Sequence, residues 1–132
     1  RARLIHVIGL RRSQPPASYL AYVFEKMGLP AMLHDKAGWL DARAAIAPAD
    51  ALIAIAFDPY SPPTIELAEA AHGAGAALVA ISDAGLSPLR PLADAYLSVD
   101  EADYGAFRPL AATMTLVTTL AVATGSARDR ME

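Results

Sequence analysis

Short apolar runs recur along this chain, and most of the intervals between them repeat their apolar positions at helical spacing. Leu4-Ile5-His6-Val7-Ile8 is rich in β-branched residues and closed by Gly9, the pattern of a strand covered on both faces. From Pro15 to Met27 the positions Tyr19, Leu20, Val23, Phe24 and Met27 line up on one helical face, with two prolines tolerated in the first turn and Gly28 placed to end it. Pro30 to His34 reads as a shorter second strand, and Ala37 to Ala47 as a weak helix before Pro48. Asp50 introduces a third strand, Ala51 to Ala56. After a proline-rich loop, Thr64 stands where it could cap a helix running to His72, with Gly73 and Gly75 as stop signals. Ala77 to Ile81 and Ala95 to Val99 complete the strands, and Ser87-Pro88-Leu89 between them starts a short helix.

Strands alternating with helical segments imply parallel βαβ units with right-handed crossovers. The expected fold class is therefore α/β: a three-layer α/β/α sandwich on a five-stranded parallel sheet in the flavodoxin-like order 2-1-3-4-5. The last helix, about Phe107 to Ala123, is apolar nearly all round through Leu110, Met114, Leu116, Val117, Leu120, Ala121 and Val122. These cannot all face one sheet, so the second apolar face predicts a homodimer contact.

At 132 residues, 55% of them hydrophobic, the chain suits one domain over 1–132 with a single core. No apolar run approaches the roughly 20 residues that cross a bilayer, and no signal peptide is visible. The absence of cysteine excludes disulfides and thiolate metal sites, no metal-ligand spacing occurs, and the default location is cytoplasmic. The net charge of −3 and scattered basic residues argue against direct contact with DNA. A start at Arg1 directly on a strand pattern, and a polar tail from Ser126 to Glu132, suggest a piece of something longer.

Two loops carry the candidate chemistry. Gly9-Leu10-Arg11-Arg12-Ser13 follows the first strand, and Ala56-Phe57-Asp58-Pro59-Tyr60-Ser61-Pro62-Pro63-Thr64 follows the third; both belong at the carboxyl edge of the sheet, where such folds bind small ligands. The first loop lacks the glycine spacing of dinucleotide binders, and no cofactor is expected. It offers helix-start N–H groups and the Ser13 hydroxyl to an anion or a polar oxygen, or Ser13 merely starts the helix.

At these residues the chain resembles the sugar isomerase (SIS) domain, in particular the effector-binding domain of RpiR-type bacterial transcription regulators. The likeness covers almost the whole chain: Gly9 to Ser13, Ile53 to Phe57 leading into Pro59-Tyr60-Ser61 and Thr64 to Ala68, Ala80-Ile81-Ser82-Asp83 with Ser87-Pro88-Leu89, and Leu92 to Ala95. The resemblance implies a phosphosugar held by hydroxyls of the first loop and of a Ser-x-Ser-Gly-x-Thr loop after the third strand. Here Ser13 and Ser61 keep two hydroxyls, Ala56 has lost one, and Asp58 has replaced another by a carboxylate. A carboxylate about 4 Å from a phosphate charge repels it by about 4 kcal/mol at an effective dielectric near 20, close to a thousandfold in binding. Either Arg11 or Arg12 offsets this, or the ligand is not a phosphate. Asp58 is then a polar contact to sugar hydroxyls or an amine, or only a turn residue before Pro59.

The expected ligand contacts are Arg11, Ser13, Asp58, Ser61 and Thr64, with Ser82 and Ser87 at neighbouring loops. Phe57 and Tyr60 would supply an aromatic wall or simply pack. Of the histidines, His6 reads as a satisfied core residue and His72 as a helix-terminal cation. His34, ahead of Asp35, is the one to test as a general base. The implied role is a non-enzymatic regulatory domain that binds a sugar or sugar-phosphate effector, forms a homodimer, and reaches DNA only through an amino-terminal helix-turn-helix segment that this chain omits. The competing expectation is a sugar-phosphate isomerase, which needs a positioned base.

Overall fold

The computed structural model describes residues 2–35 and 45–131. Strands β1 (Ile5–Gly9), β2 (Ala31–His34), β3 (Ala51–Ile55), β4 (Ala77–Ser82) and β5 (Ala95–Ser98) form one parallel sheet in the order β2-β1-β3-β4-β5, as the alternation of elements predicts. The expected weak helix from Ala37 falls almost entirely outside the described residues.

Alternation along each strand sorts the core into two layers. Ile5 and Val7, Ile53 and Ile55, and Ile81 face one side, where α1 (Gln14–Lys26) and α3 (Ala111–Met131) bury Leu20, Phe24, Val117 and Ala121 against them. Ile8, Leu52, Ala54, Leu78 and Ala80 face the other side, covered by Leu67, Ala68 and Ala71 of α2 (Pro62–Ala74) and by Leu89. Small residues at Ala54, Ala68, Ala71 and Ala80 let α2 approach the sheet between the larger side chains of Leu52, Leu67 and Leu78.

Several element boundaries differ from the sequence reading, each for a local reason. Helix α2 is capped at Ser61, not Thr64: Pro62 and Pro63 take the first helical positions, where a missing N–H is no loss, and Thr64 is buried behind them. Ser87-Pro88-Leu89 forms successive turns instead of a helix, with Arg90 N–H donating to Ser87 O (3.1 Å) and Leu92 N–H to Leu89 O (3.1 Å), and Pro91 cannot continue a helix. Helix α3 begins at Ala111, after the turn in which Tyr104 N–H donates to Phe107 O (3.1 Å), because the residue before Pro109 is biased away from helix. It continues to Met131, so the expected polar tail is helical. There Arg128 Nη1–H donates to Met27 O (2.5 Å), joining the end of α3 to the end of α1.

Gly9 ends β1 where the chain must turn at once. A Cβ at this position would lie 2.5 Å from Ser13 O and 3.0 Å from Ala17 Cβ, contacts that the backbone cannot relieve without moving the first loop. Gly9→Ala is expected to lower unfolding stability by about 1–3 kcal/mol, read as a reduced urea midpoint at unchanged slope. An unchanged midpoint would mean that the turn is not held this tightly.

Candidate functional site

The sheet order reverses between β1 and β3, and the loops after these two strands meet at the carboxyl edge, the switch point at which doubly wound sheets take ligands. They enclose a crevice of about 150 Å³ lined by Leu10, Arg11, Arg12, Ser13, Ile55, Ala56, Phe57, Asp58, Pro59, Ser61 and Thr64. This is smaller than the roughly 300–1,000 Å³ of most small-molecule pockets, so it suits a compact ligand or one end of a larger one. Arg11, Ser13, Asp58, Ser61 and Thr64 are thus brought together as the sequence reading expects.

The first loop enters the crevice as a 3₁₀ turn, Arg11–Ser13, in which Ser13 N–H donates to Leu10 O (3.1 Å). Arg11 holds φ at 57°, a left-handed conformation that costs a non-glycine residue energy and is found preferentially where a backbone is positioned for function. Its exposed side chain leaves Arg12 to turn inward. The Arg12 guanidinium lies 4.3 Å above the Phe57 ring, and its Nη1 is buried without a hydrogen-bond partner among the described residues. Thr64, only 1% exposed, likewise has an unpartnered Oγ1 on the same crevice. Buried polar atoms are almost always paired, so two orphans on one small hollow mark a place for a polar ligand. Arg12 was the residue to find; the signal was its place beside Arg11 in the loop, but sequence cannot say which of two adjacent arginines faces in.

The second loop is held from behind by Asp83. Its carboxylate accepts the Tyr60 hydroxyl (2.6 Å) and the Asp58 N–H (3.1 Å), and its carbonyl accepts the Tyr96 hydroxyl. Burial pushes the Asp83 carboxyl up, but the Tyr60 hydroxyl and the N–H groups outweigh it and hold the group below its usual range. Burial, and then the hydrogen bond to Asp83, push the Tyr60 phenol up to about 12. Tyr60 is therefore a fastening for the loop, outside the crevice lining, and Phe57 packs into the core beneath Arg12.

Ser82 and Ser87, expected as outer ligand contacts, are not brought to the crevice. Ser82 is fully buried and donates to Ala56 O (2.5 Å), and the two hydroxyls lie 3.0 Å apart. Ser87 Oγ also accepts the Leu89 N–H (3.2 Å). They brace the strand end that carries the second loop. Glu101, in the segment after β5, caps α3: its carboxylate accepts the N–H groups of Ala112 (3.1 Å) and Thr113 (2.7 Å) and the Thr113 hydroxyl (2.7 Å). Burial raises its carboxyl, but these bonds, helped by the charge of Arg12, hold it below the usual range.

The histidines lie elsewhere. His6 is wholly buried, with Nε2 2.9 Å from Asp50 Oδ2 and Nδ1 2.9 Å from His34 Nε2. An ionised Asp50 accepts from His6 Nε2–H, which leaves His6 Nδ1 to accept from His34 Nε2–H. His34 thus joins a structural chain and does not line the crevice. Burial first, then electrostatic repulsion from the neighbouring His6 ring, lower its pKa from 6.5 to about 4, against the raising effect of Asp35. The unfolded chain therefore takes up the His34 proton between pH 6.5 and 4 while the folded chain resists it. Stability is expected to fall by about 1–2 kcal/mol as pH drops through that window, allowing for the ring's partial exposure. Urea midpoints from pH 7 to 4.5 would read it, with a flatter profile in His34→Gln; no slope in the parent chain would contradict the arrangement.

Sheet order and crevice together define a doubly wound α/β domain with a ligand hollow at its switch point. Residues 1–124 match the SIS domain model, and the chain belongs to that family. No curated protein matches it. Among solved structures, the sugar isomerase domain of an RpiR transcription factor from Sphaerobacter thermophilus is similar at 22% identity and a TM-score of 0.89, over 99% of this chain and 74% of that one. The Vibrio vulnificus NanR protein complexed with ManNAc-6P is similar at 22% identity and a TM-score of 0.79, over 98% of this chain. The present chain spans about half (51%) of the NanR chain. A Methanococcus jannaschii protein, for which a 3-hexulose-6-phosphate isomerase function is inferred, is similar at 18% identity and a TM-score of 0.72, over 98% of this chain and 72% of that one. At these identities the likeness establishes the shared fold. Among the described residues no helix is long and apolar enough to cross a membrane, and no group of metal-ligating side chains occurs.

Proposed function

We propose that this chain is the effector-binding domain of an RpiR-type bacterial transcription regulator, taking a sugar or sugar derivative in the crevice between the first and second loops. The observation that carries the reading is the pair of unpartnered buried atoms, Arg12 Nη1 and Thr64 Oγ1, on one hollow beside Ser13 and Ser61. The solved regulators of the same fold support it. A carbohydrate presents many hydroxyls at short spacing, each able to donate and accept, and fits a small site that mixes guanidinium, hydroxyl and carboxylate groups.

The regulatory mechanism follows from where Arg12 sits. Its charge acts on Glu101, the cap of α3, and its plane covers Phe57, which belongs to the same core cluster as Val117 of α3. A ligand that engages Arg12 therefore acts on the foot of α3. In the proposed homodimer α3 lies at the contact: Val122 is exposed, and Thr115, Thr118 and Thr119 turn their hydroxyls back onto carbonyls of the preceding turn, which masks their polarity. A ligand that binds one dimer arrangement better shifts the population, and DNA-binding segments attached ahead of this domain move with it. The protein is then cytoplasmic and meets DNA only through those segments.

The isomerase reading has less support: His34 is tied to His6, and among the described residues lining the crevice the exposed Asp58 carboxylate is left to act as base. Calorimetric titration of sugars and sugar phosphates, run beside an isomerase assay and sedimentation with and without ligand, tests the proposal. Binding without turnover and a ligand-dependent change in the dimer are expected. Turnover that disappears in His34→Ala would overturn it.

A further inference from the structure

Resting on that reading, we infer that the effector is an unphosphorylated sugar or polyol, because most main-chain donors of the second loop are missing or bonded elsewhere and its Asp58 carboxylate is an acceptor that repels a phosphate group. A phosphate monoester only accepts hydrogen bonds, and a loop at a helix start holds it through consecutive N–H groups. In the second loop most of that resource is absent or already committed. Pro59, Pro62 and Pro63 have no N–H, so the first two positions of α2 offer none. Thr64 N–H donates to Ser61 O (3.1 Å), Ile65 N–H reaches the same oxygen (3.4 Å), and Ala56 N–H donates to Ile81 O (3.0 Å). Asp58 N–H is turned away onto the Asp83 carboxylate (3.1 Å).

What the crevice presents instead is a set matched to hydroxyl groups. Asp58 contributes an exposed carboxylate that can only accept, which a phosphate cannot use and a sugar hydroxyl can. Arg12 Nη1 contributes a buried donor, and Thr64 Oγ1 an orphan that can do either. A diol placed between them has one hydroxyl to donate to Asp58 and accept from Arg12, and a second to pair with Thr64 Oγ1. The two arginines of the first loop do not fully offset the Asp58 charge: Arg11 is exposed, and the single inward guanidinium, Arg12, covers Phe57 and shares the crevice lining with that carboxylate. Asp83, behind the loop, adds further negative charge on the side where α2 begins.

The test compares matched pairs on the full chain: N-acetylmannosamine, glucose, fructose and myo-inositol, each against its monophosphate ester, with inorganic phosphate alone as a further probe. Thermal shift screens the panel and calorimetry measures what binds. At least one free sugar or polyol is expected to bind about tenfold or more tighter than its ester, with inorganic phosphate neither raising the melting temperature nor competing. Asp58→Asn keeps the main-chain bond to Asp83 and removes the charge. It is expected to weaken the free sugar and to narrow the gap to the ester by about tenfold, with folding checked by circular dichroism. An ester that binds the parent chain more tightly than its sugar, stabilisation by inorganic phosphate, or a preference that Asp58→Asn leaves unchanged would overturn the inference while the regulatory reading stands. If no member of any pair binds, the carbohydrate-sensing reading itself fails and this inference falls with it.

Discussion

Asp50→Ala is expected to destabilise the domain by about 3–5 kcal/mol, the range for removing one partner of a buried charged network, and to lower the melting temperature by roughly 10–20 °C. Asp50 is 2% exposed, and its carboxylate accepts from Arg3 through both oxygens (3.0 and 3.1 Å), from Ala47 N–H (2.9 Å) and from the fully buried His6 (2.9 Å). The Arg3 side chain is 60% exposed, so that arm is screened by water and contributes little. The loss comes mainly from His6, which stays in the interior with no acceptor for its Nε2–H, and less from the half-buried Ala47 N–H. Asp50→Asn keeps an oxygen for one of them and should lose less. Burial raises the Asp50 carboxyl, but its N–H, imidazole and guanidinium partners lower it to about 2. A carboxyl held below its ordinary 3.8 stabilises the fold above that pH, and the contribution disappears as pH falls through 2. The pH slope of stability should therefore differ most between the parent chain and Asp50→Asn from pH 4 to 2, where the parent loses this contribution and the variant has none to lose. A variant melting within a few degrees of the parent would show that this network does not hold the β1, β2 and β3 ends together.

Arg12→Ala is expected to weaken binding of the sugar that the pair screen selects by about 10–100-fold, while stability changes by no more than about 1 kcal/mol, the worth of a cation–π contact. The asymmetry follows from geometry: the guanidinium has a face on Phe57 and an Nη1 with no partner among the described residues, so its polar value is realised with ligand present. Arg12→Lys should not rescue binding, because an ammonium neither stacks flat on the ring nor keeps a second donor directed inward. Loss of Arg12 also removes a charge that lowers Glu101, so the ligand-dependent change in dimer arrangement should weaken more than ligand affinity alone explains. Affinity unchanged in Arg12→Ala would place the ligand outside this crevice.

The residues that carried the resemblance are also those that build the site. Ser13, Ser61, Asp58 and Thr64 converge because β1 and β3 are neighbours in the sheet, a relation that the strand order already implied. Ser82 and Ser87 follow the next strand and look equivalent in sequence, yet they point into the packed layer, where a hydroxyl must find a partner and finds the Ala56 carbonyl. A serine at a strand end has the same letter whether it meets ligand or braces a loop. In sequence Thr64 stands where a helix cap would, but the prolines before it move the cap to Ser61, and the consequence is a buried threonine on the crevice wall.

Periodicity of apolar residues determined the five strands, their parallel arrangement and the two-sided core, because burial of alternate residues is a local property that each segment records in its own composition. The absence of a metal spacing and the hydroxyl-bearing loops were written there too. Only the folded chain decided that Arg12 turns inward while Arg11 stays out, that Asp83 fastens the second loop, that Glu101 caps α3, and that His6, His34 and Asp50 form one hydrogen-bonded chain. These depend on which way a side chain points between elements distant in sequence. Composition along a segment carries no record of that direction.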